Sequence, residues 1–226
     1  QTIMQDLRYA MRSLAANPGF TAIAILMLAL GIGANATIFS WVNAVLLNPL
    51  PGTARTQDLV TLTYLYRGEV MPSFSYPDYQ DISSAARQLS GVTAFDDLAV
   101  GVVVDSDAER AWAQLVTSNF FDVLGARVVA GRGFTSDDDK PGAASVVLSD
   151  AYWKRRFAGA PDVVGRAIRV NAQPFTIVGV AAPGFFGGAS GLSLDMFLPM
   201  GTQPTVMAGG SRLDSRGSRW LRMIAR

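Results

Sequence analysis

The chain has 226 residues and contains neither cysteine nor histidine. These absences exclude disulfide bonds, zinc sites with Cys or His ligands, cysteine nucleophiles and Ser-His-Asp hydrolases. The 19 basic and 18 acidic residues leave a net charge of +1, which argues against nucleic acid as a partner. Only 16% of the residues are charged and 50% are hydrophobic, whereas soluble domains carry about 25% charged residues. The composition therefore indicates a membrane segment.

Residues 1–19 predict a short amphipathic helix on the cytoplasmic side of a membrane. Its apolar side chains recur at helical spacing, at Ile3, Leu7, Met11 and Leu14. Arg8 and Arg12 fall on another face, and we predict that both lie at the membrane interface. The same pattern fits an ordinary membrane-proximal helix without a partner, and the sequence leaves both interpretations open. Asn17-Pro18-Gly19 predicts a break in the chain after this helix.

Residues 20–48 predict a transmembrane helix with a stalk. Residues 13–54 contain no Asp, Glu, Lys or Arg, and residues 20–47 are predominantly apolar. A membrane-spanning helix needs about 20 such residues, so this one is long enough to tilt or to extend beyond the bilayer. Asn48-Pro49-Leu50-Pro51-Gly52 predicts its end, because proline cannot continue a helix.

The same segment fits two other interpretations. Ala34-Asn35-Ala36 resembles a signal-peptide cleavage site, and cleavage after Ala36 would release a secreted protein, for example an enzyme, that begins at Thr37. Such a protein would start with an exposed apolar tail, which favours a retained helix. A buried helix in a soluble protein is the second alternative, and the length of the uncharged run argues against it.

The flanks and the small residues of the span give two further predictions. Two arginines precede the span, whereas Arg55 follows it beside Asp58, so the N-terminus is predicted in the cytoplasm and the main domain outside. Small residues allow close approach of helices in lipid. We therefore predict helix packing at three positions, namely Ala29, Gly31 and Gly33.

After residue 55 the sequence predicts an α+β domain rather than a doubly wound sheet, because strands outnumber long helices and no βαβ series is sustained. Strands are predicted at residues 59–66, 92–95, 100–104, 111–117, 145–148, 167–170, 174–180, 196–198 and 220–226. Helices are predicted at residues 79–89, 118–124 and 152–157, each preceded by a capping signal. The last strand ends without a turn, so we expect the chain to be an N-terminal fragment interrupted at Arg226.

Chemical motifs are sparse. The chain has no GxxxxGK[ST] phosphate-binding loop. Gly131-Arg132-Gly133 and Asp137-Asp138-Asp139 are better explained as turns than as a phosphate loop and a cation site. Tyr152-Trp153-Lys154-Arg155-Arg156-Phe157 favours a surface helix with Trp153 and Phe157 turned inward over a site for nucleic acid or anionic lipid. In the loop at residues 184–191, Phe185 and Phe186 suit either a partner contact or packing onto the sheet. We predict no catalytic, cofactor or metal site in this chain.

Ordered motifs along most of the chain resemble bacterial ABC-transporter permeases with a MacB-like periplasmic core domain and an FtsX-like permease region. More narrowly, they are similar to the orphan duplicated permeases common in acidobacteria. The N-terminal matches are Asp6-Leu7-Arg8-Tyr9-Ala10, Asn17-Pro18-Gly19-Phe20-Thr21, Leu28-Ala29-Leu30-Gly31-Ile32-Gly33-Ala34-Asn35 and Val42-Asn43-Ala44-Val45-Leu46-Leu47. The outer-domain matches include Ser75-Tyr76-Pro77-Asp78-Tyr79, Ser118-Asn119-Phe120-Phe121-Asp122-Val123-Leu124-Gly125, Gly131-Arg132-Gly133-Phe134, Val164-Gly165-Arg166, Ile177-Val178-Gly179-Val180 and Pro183-Gly184-Phe185.

The resemblance implies a porter-like βαβ part at residues 55–97, an inserted β-rich lobe at 98–217 and a returning porter strand at 218–226. It further implies four transmembrane helices in the whole permease, ATP hydrolysis on a separate or fused ATPase, and a permease homodimer or pseudo-dimer. The function it implies is the transmission of ATP-driven motion to the outer domain for export-type transport. The alternative is a membrane-anchored extracytoplasmic binding or adhesion module without a transport role.

Overall fold

The structure is a computed structural model that describes residues 3–42, 52–140, 142–188 and 192–226. The chain divides into a helical unit, Gln1–Pro49, and a larger unit, Leu50–Arg226. The end of the predicted span and stalk, residues 43–48, lies outside the described residues, as do Pro49 and Pro51 of the predicted helix end.

The helical unit contains α1 (Ile3–Ala16) and α2 (Pro18–Val42), separated by Asn17 alone. The predicted break at Asn17-Pro18-Gly19 is therefore confirmed, although α2 begins at Pro18 instead of residue 20. Proline is tolerated at a helix start because the first N–H groups of a helix have no intrahelical acceptor. The Thr21 hydroxyl donates to the carbonyl oxygens of Leu14 (2.7 Å) and Asn17 (3.0 Å), which ties the end of α1 to the first turn of α2.

The larger unit is a mixed α+β domain, as predicted. Its strands are β1 (Val60–Leu62), β2 (Tyr64–Tyr66), β3 (Glu69–Met71), β4 (Val92–Val104), β5 (Asp107–Val116), β6 (Val128–Gly131), β7 (Ser145–Leu148), β8 (Ala167–Val170), β9 (Gln173–Ala181), β10 (Met196–Pro199) and β11 (Arg222–Ala225). Its helices are α3 (Tyr76–Ala85), α4 (Phe120–Leu124), α5 (Asp150–Phe157) and α6 (Gln203–Val206).

Six strands of the main sheet close into a ring. The hydrogen-bonded neighbours run β4, β5, β10, β7, β9 and β8, and β8 pairs again with β4 through Val102 and Val103. The β5–β10 and β7–β9 pairs are parallel, and the other pairs in the ring are antiparallel. Closure leaves these strands with few free edges, which protects the sheet against edge-to-edge association.

The first half of β4 also belongs to a smaller βαβ arrangement. β11 pairs antiparallel with both β1 and β4, so β1 and β4 run in the same direction on either side of it. α3 lies between β1 and β4 in sequence, which makes a split βαβ unit. β4 passes residue 97 without interruption, so the predicted porter part and lobe share one strand. The division into these two parts stays a prediction.

Alternate residues of the sheet build two apolar cores. The larger core takes side chains from every strand of the ring and from β11. The smaller core is built from strand side chains that alternate with those of the larger core. It contains an aromatic cluster, defined here as Phe95, Phe120, Phe121, Phe134, Phe185 and Phe197. α4 supplies Phe120 and Phe121, and the Phe120 ring centroid lies 5.7–6.1 Å from four other rings of the cluster.

Local sequence signals placed most elements correctly. The predicted strand at residues 145–148 and the hairpin of β8 and β9 are confirmed. α3 begins earlier than predicted because Ser75 and Asp78 form a reciprocal capping box, with backbone-to-side-chain distances of 3.2 and 3.1 Å. This arrangement places Pro77 in the first turn of the helix, where proline is tolerated.

Several differences have physical causes. The two segments predicted as separate strands, residues 92–95 and 100–104, form one strand. This occurs because Asp96 and Asp97, which lie between the two segments, are themselves part of the strand. The strand predicted at 59–66 is divided into β1 and β2. The β2–β3 hairpin was missed because its turn is Arg67-Gly68, both with positive φ, instead of the more recognisable Asn-Gly. The elements β6 and α6 were also missed.

Candidate functional site

The two arginines predicted at the membrane interface lie on α1. Arg8 and Arg12 are four residues apart on this helix and both side chains are exposed. Residues at this spacing occupy the same helix face. Exposed apolar side chains on α1 include Tyr9, which is 79% exposed, and Met11, which is 66% exposed. α1 therefore presents cationic and apolar groups together, and the membrane-interface role of the arginines stays a prediction.

α2 exposes apolar side chains around its whole circumference. Its 25 residues extend about 37 Å at 1.5 Å per residue, compared with a bilayer core of about 30 Å. Pro18–Ser40 has the length and hydropathy of a membrane span, and none of its most apolar window is buried within the structure. This exposure argues against burial of α2 within the described part of the chain and is consistent with membrane anchoring.

The predicted packing residues Ala29, Gly31 and Gly33 all lie on α2 and are exposed. Ala29 and Gly33 are four residues apart and share one helix face, whereas Gly31 lies on a different face. The Thr37 hydroxyl donates to the Gly33 carbonyl oxygen (2.8 Å) one turn later, so its polar group is satisfied within the helix. A Cβ atom added at Gly31 or Gly33 would meet nothing within 4 Å. The surface is available for a neighbouring helix, and packing there stays a prediction.

The C-terminal arginines form ion pairs with residues distant in the sequence. Arg216 approaches Asp81 (2.7 Å) and Asp78 (3.7 Å) at α3. Arg222 pairs with Asp97, and its guanidinium lies over the Phe95 ring, 4.7 Å from the centroid. Asp214 is the only acidic residue in the sequence of residues 196–226, and the carboxylates that pair with these arginines lie more than 120 residues away along the chain.

Asp96 and Asp97 lie where the partner on one side of β4 changes. β11 pairs with residues 92–95 and β8 with residues 102–103, so both carboxylates occur between these two pairings. Asp97 accepts a hydrogen bond from Gln114 Nε2 (2.6 Å) in addition to its pair with Arg222. Burial raises the pKa of the Asp96 carboxyl to about 6, although the positive charge of Arg222 opposes this rise. The Asp96 carboxyl therefore titrates closer to neutral pH than an ordinary aspartate.

The basic side chains of α5 are engaged in ion pairs. Lys154 pairs with Asp150 (2.9 Å), and Arg155 pairs with Asp195 (2.9 Å). Arg156 approaches Asp107 at 3.2 Å, and its Nη2 also donates to the Val104 carbonyl oxygen (2.9 Å). Such pairing lowers the positive field that an anionic polymer or lipid would need. Trp153 is partly buried and Phe157 is buried, which confirms the predicted surface helix.

The acidic turn at residues 137–139 has a structural role. Asp138 accepts hydrogen bonds from Arg132 Nη1 (2.7 Å), Ser145 Oγ (2.6 Å) and the Thr135 backbone N–H (2.8 Å). Burial alone would raise the pKa of Asp138, but these hydrogen bonds hold the pKa well below its usual range. In the described ranges, no three His, Cys, Asp or Glu side chains are grouped so as to hold a metal ion.

The Gly131-Arg132-Gly133 motif is likewise explained by packing. Gly131 has φ +70°, and a Cβ atom there would lie 2.1 Å from the Val178 carbonyl oxygen. Only glycine permits this approach between β6 and β9. The motif is therefore the end of β6 and the irregular segment after it, whereas the predicted turn lies further on, at residues 136–139.

The two phenylalanines of the glycine-rich loop after β9 have different environments. Phe185 is buried in the aromatic cluster, whereas Phe186 is 40% exposed. The backbone N–H of Gly188 donates to Gln114 Oε1 (3.0 Å), which ties the loop to β5. Phe185 therefore packs onto the sheet. Residues 189–191 of this loop lie outside the described residues.

An open cavity of about 320 Å³ lies between α3 and the β2 region. It is lined by Tyr64, Phe74, Asp78, Asp81, Ile82 and Arg219. Its two carboxylates already pair with Arg216, and Arg219 donates to the Tyr64 hydroxyl. The cavity is therefore lined by apolar side chains and by charged groups that already have partners within the protein.

Comparison with known proteins agrees with this architecture. The profile of the MacB-like periplasmic core domain family matches residues 21–224, from α2 to β11. The macrolide export ATP-binding/permease protein MacB of Aggregatibacter actinomycetemcomitans is 33% identical over 117 residues, covering 51% of this chain and 18% of the relative. The Hahella chejuensis protein of the same name is 25% identical over 203 residues, covering 87% of this chain and 29% of that relative. The chain thus spans less than a third of either relative, and the ATPase domain lies outside the matched region.

Solved structures share the fold. The periplasmic region of MacB from Actinobacillus actinomycetemcomitans superposes with a TM-score of 0.55 at 22% identity, covering 74% of this chain and 73% of that one. A domain of a permease protein from Porphyromonas gingivalis gives a TM-score of 0.58 at 18% identity, covering 77% and 76%. Together with the family profile, these similarities show that the chain belongs to the MacB family of ABC-transporter permeases and carries its MacB-like periplasmic core domain.

Proposed function

We propose that the chain forms the N-terminal part of a permease subunit in a MacB-like ABC transporter. In this proposal α2 anchors the subunit in the bacterial inner membrane, and the α+β domain lies in the periplasm. Motion driven by ATP hydrolysis in the cytoplasm passes through the anchor to this domain and supports export-type transport. The observation that carries the proposal is a family match that spans both the apolar helix and the α+β domain.

The proposal places ATP hydrolysis on an ABC-type ATPase outside this chain. The sequence lacks a GxxxxGK[ST] loop, so it has no P-loop to hold the phosphates. The relatives carry names that join an ATP-binding part to a permease part, which supports an ATPase partner or fused domain here. We propose no cofactor for this chain, and a permease homodimer or pseudo-dimer as its assembly.

The proposed orientation places α1 in the cytoplasm. Arg8 and Arg12 precede the span, whereas the charge of Arg55 after the span is offset by Asp58. Positive residues are retained on the cytoplasmic side of a membrane, so this asymmetry favours a cytoplasmic N-terminus. Membrane lipid is accordingly a partner for α2 and for the cationic face of α1.

The absence of cysteine from the chain allows a direct test of this topology. A single cysteine is introduced either in the exposed turn, as Ser136→Cys, or on α1, as Gln5→Cys, where both native side chains are exposed. A membrane-impermeant maleimide is then added to spheroplasts. We expect labelling of Ser136→Cys in intact spheroplasts and labelling of Gln5→Cys only after detergent opens the membrane.

The reverse labelling pattern would contradict the proposed orientation. Detergent-treated spheroplasts also test the signal-peptide alternative, because cleavage after Ala36 would remove the Gln5→Cys label from the mature protein in every condition. The Ser136→Cys variant serves as the control for expression and for reagent access.

A further inference from the structure

The segment by which the chain enters the outer domain, residues 52–58, meets the last strand and α4 at one corner. It is called the entry segment here. Arg226 lies at the centre of this corner with a side chain only 19% exposed. Its Nη2 donates to the Ala54 carbonyl oxygen (2.6 Å) and its Nε to the Val123 carbonyl oxygen (2.7 Å). One guanidinium therefore joins the entry segment to α4.

The backbone of Arg226 fixes the position of this side chain. Its N–H donates to the Gly91 carbonyl oxygen (3.0 Å), and its carbonyl oxygen accepts from the Ser90 N–H (2.6 Å) and hydroxyl (3.0 Å). These bonds anchor the residue to the turn that precedes β4. The planar guanidinium carries several donors in fixed directions, so it can bind two carbonyl oxygens at once.

The entry segment also touches the domain through close backbone contacts. A Cβ atom at Gly125, just after α4, would lie 2.9 Å from the Ala54 Cβ. A Cβ atom at Gly52 would lie 2.6 Å from the Phe185 Cα. Asp58 adds a long contact of 3.8 Å to Arg226. The entry segment is thus fastened to both α4 and the Phe185 loop.

Both attachment points lead into the aromatic cluster. Val123 follows Phe120 and Phe121 on the same short helix, and the Phe121 and Phe185 ring centroids are 5.8 Å apart. Close-packed interiors deform little, so displacement of one member is passed to its neighbours. The contacts connect the entry segment to the smaller core through Arg226 and α4.

We propose that Arg226 is a positioning residue that locks the entry segment onto α4, so that movement of this segment is delivered to the aromatic cluster. The role of this contact in transmitting motion rests on the proposed function, since it assumes that motion arrives through the membrane anchor. The lock itself is a property of the outer domain and is testable without an ATPase.

Amide hydrogen exchange on the full chain in lipid nanodiscs tests the lock. The reporters are the Asp58 and Leu59 amides, which bond to the carbonyl oxygens of Arg55 (3.0 Å) and Thr56 (3.1 Å). In Arg226→Met we expect these amides to exchange about tenfold faster, because a charged hydrogen-bond donor is lost from two carbonyl oxygens. The β4–β5 ladder should retain the exchange rates of the wild-type protein.

Arg222→Met is the matched control, since Arg222 lies four residues earlier and pairs with Asp97 instead of the entry segment. It should leave exchange at Asp58 and Leu59 unchanged. Unaltered exchange of these amides in Arg226→Met would overturn the lock. Equal acceleration in both variants, or acceleration throughout β4 and β5, would also overturn it, because that pattern indicates general destabilisation. None of these outcomes depends on whether the chain belongs to an ATP-driven permease.

Discussion

Phe120→Ala is expected to lower the free energy of unfolding of the α+β domain by about 3–5 kcal/mol. Phe120 is completely buried and contacts four other rings of the aromatic cluster. Truncation removes the buried apolar surface and leaves a cavity that a close-packed core cannot fully close. Thermal or urea unfolding monitored by tryptophan fluorescence measures the change.

The matched control for this prediction is Phe186→Ala in the loop after β9. Phe186 is 40% exposed and lies next to the buried Phe185. Exposed side chains away from structural contacts usually change stability by no more than about 0.5 kcal/mol. Equal losses of stability in the two variants would show that the aromatic cluster is not the centre of the smaller core.

Gly33→Glu is expected to impair membrane insertion and assembly of the chain. Gly33 lies within the apolar span Pro18–Ser40, and no charged residue occurs between residues 13 and 54. A charge deep in the bilayer costs about 2.5–3.5 kcal/mol on insertion scales. We expect a smaller fraction of the variant in carbonate-washed membranes than of the wild-type chain.

Gly19→Glu is the control, because Gly19 lies in the first turn of α2 where a long charged side chain can reach the interface. A Cβ atom at either glycine meets nothing within 4 Å, so neither substitution creates a clash inside the chain. Normal insertion of Gly33→Glu would contradict a membrane location for this part of α2.

The sequence predicted those parts of the fold that depend on local signals. The charge-free run identified α2, and a capping signal indicated the helix that is α3, although its first residue, Tyr76, lies three residues before the predicted start. Turn residues Asn171 and Ala172, both with positive φ, join the predicted hairpin of β8 and β9. These features rest on residues that are close along the chain, so periodicity and capping rules are sufficient to find them.

The ring closure and the Arg226 corner could not be predicted in this way. β5 pairs in parallel with β10, although about 80 residues separate Ala113 from Met196, and no local pattern specifies that register. The contacts of Arg226 with Ala54 and Val123 involve backbone carbonyl oxygens. Backbone acceptors occur at every residue, so side-chain identity gives no signal for such a site.

The proposed delivery of ATP-driven motion to the α+β domain can be measured as a change in the distance between the two α+β domains of a permease dimer. The whole permease is reconstituted with its ATPase in nanodiscs, with a spin label at Ser136→Cys and with any cysteine outside residues 1–226 replaced by serine. Pulsed dipolar spectroscopy then compares the nucleotide-free and ATP-bound states. We expect ATP to shift the distance between the two α+β domains, and we expect an ATPase variant unable to bind ATP to abolish the shift. Identical distance distributions in both states, with ATP hydrolysis intact, would contradict the proposed delivery of motion to the α+β domain.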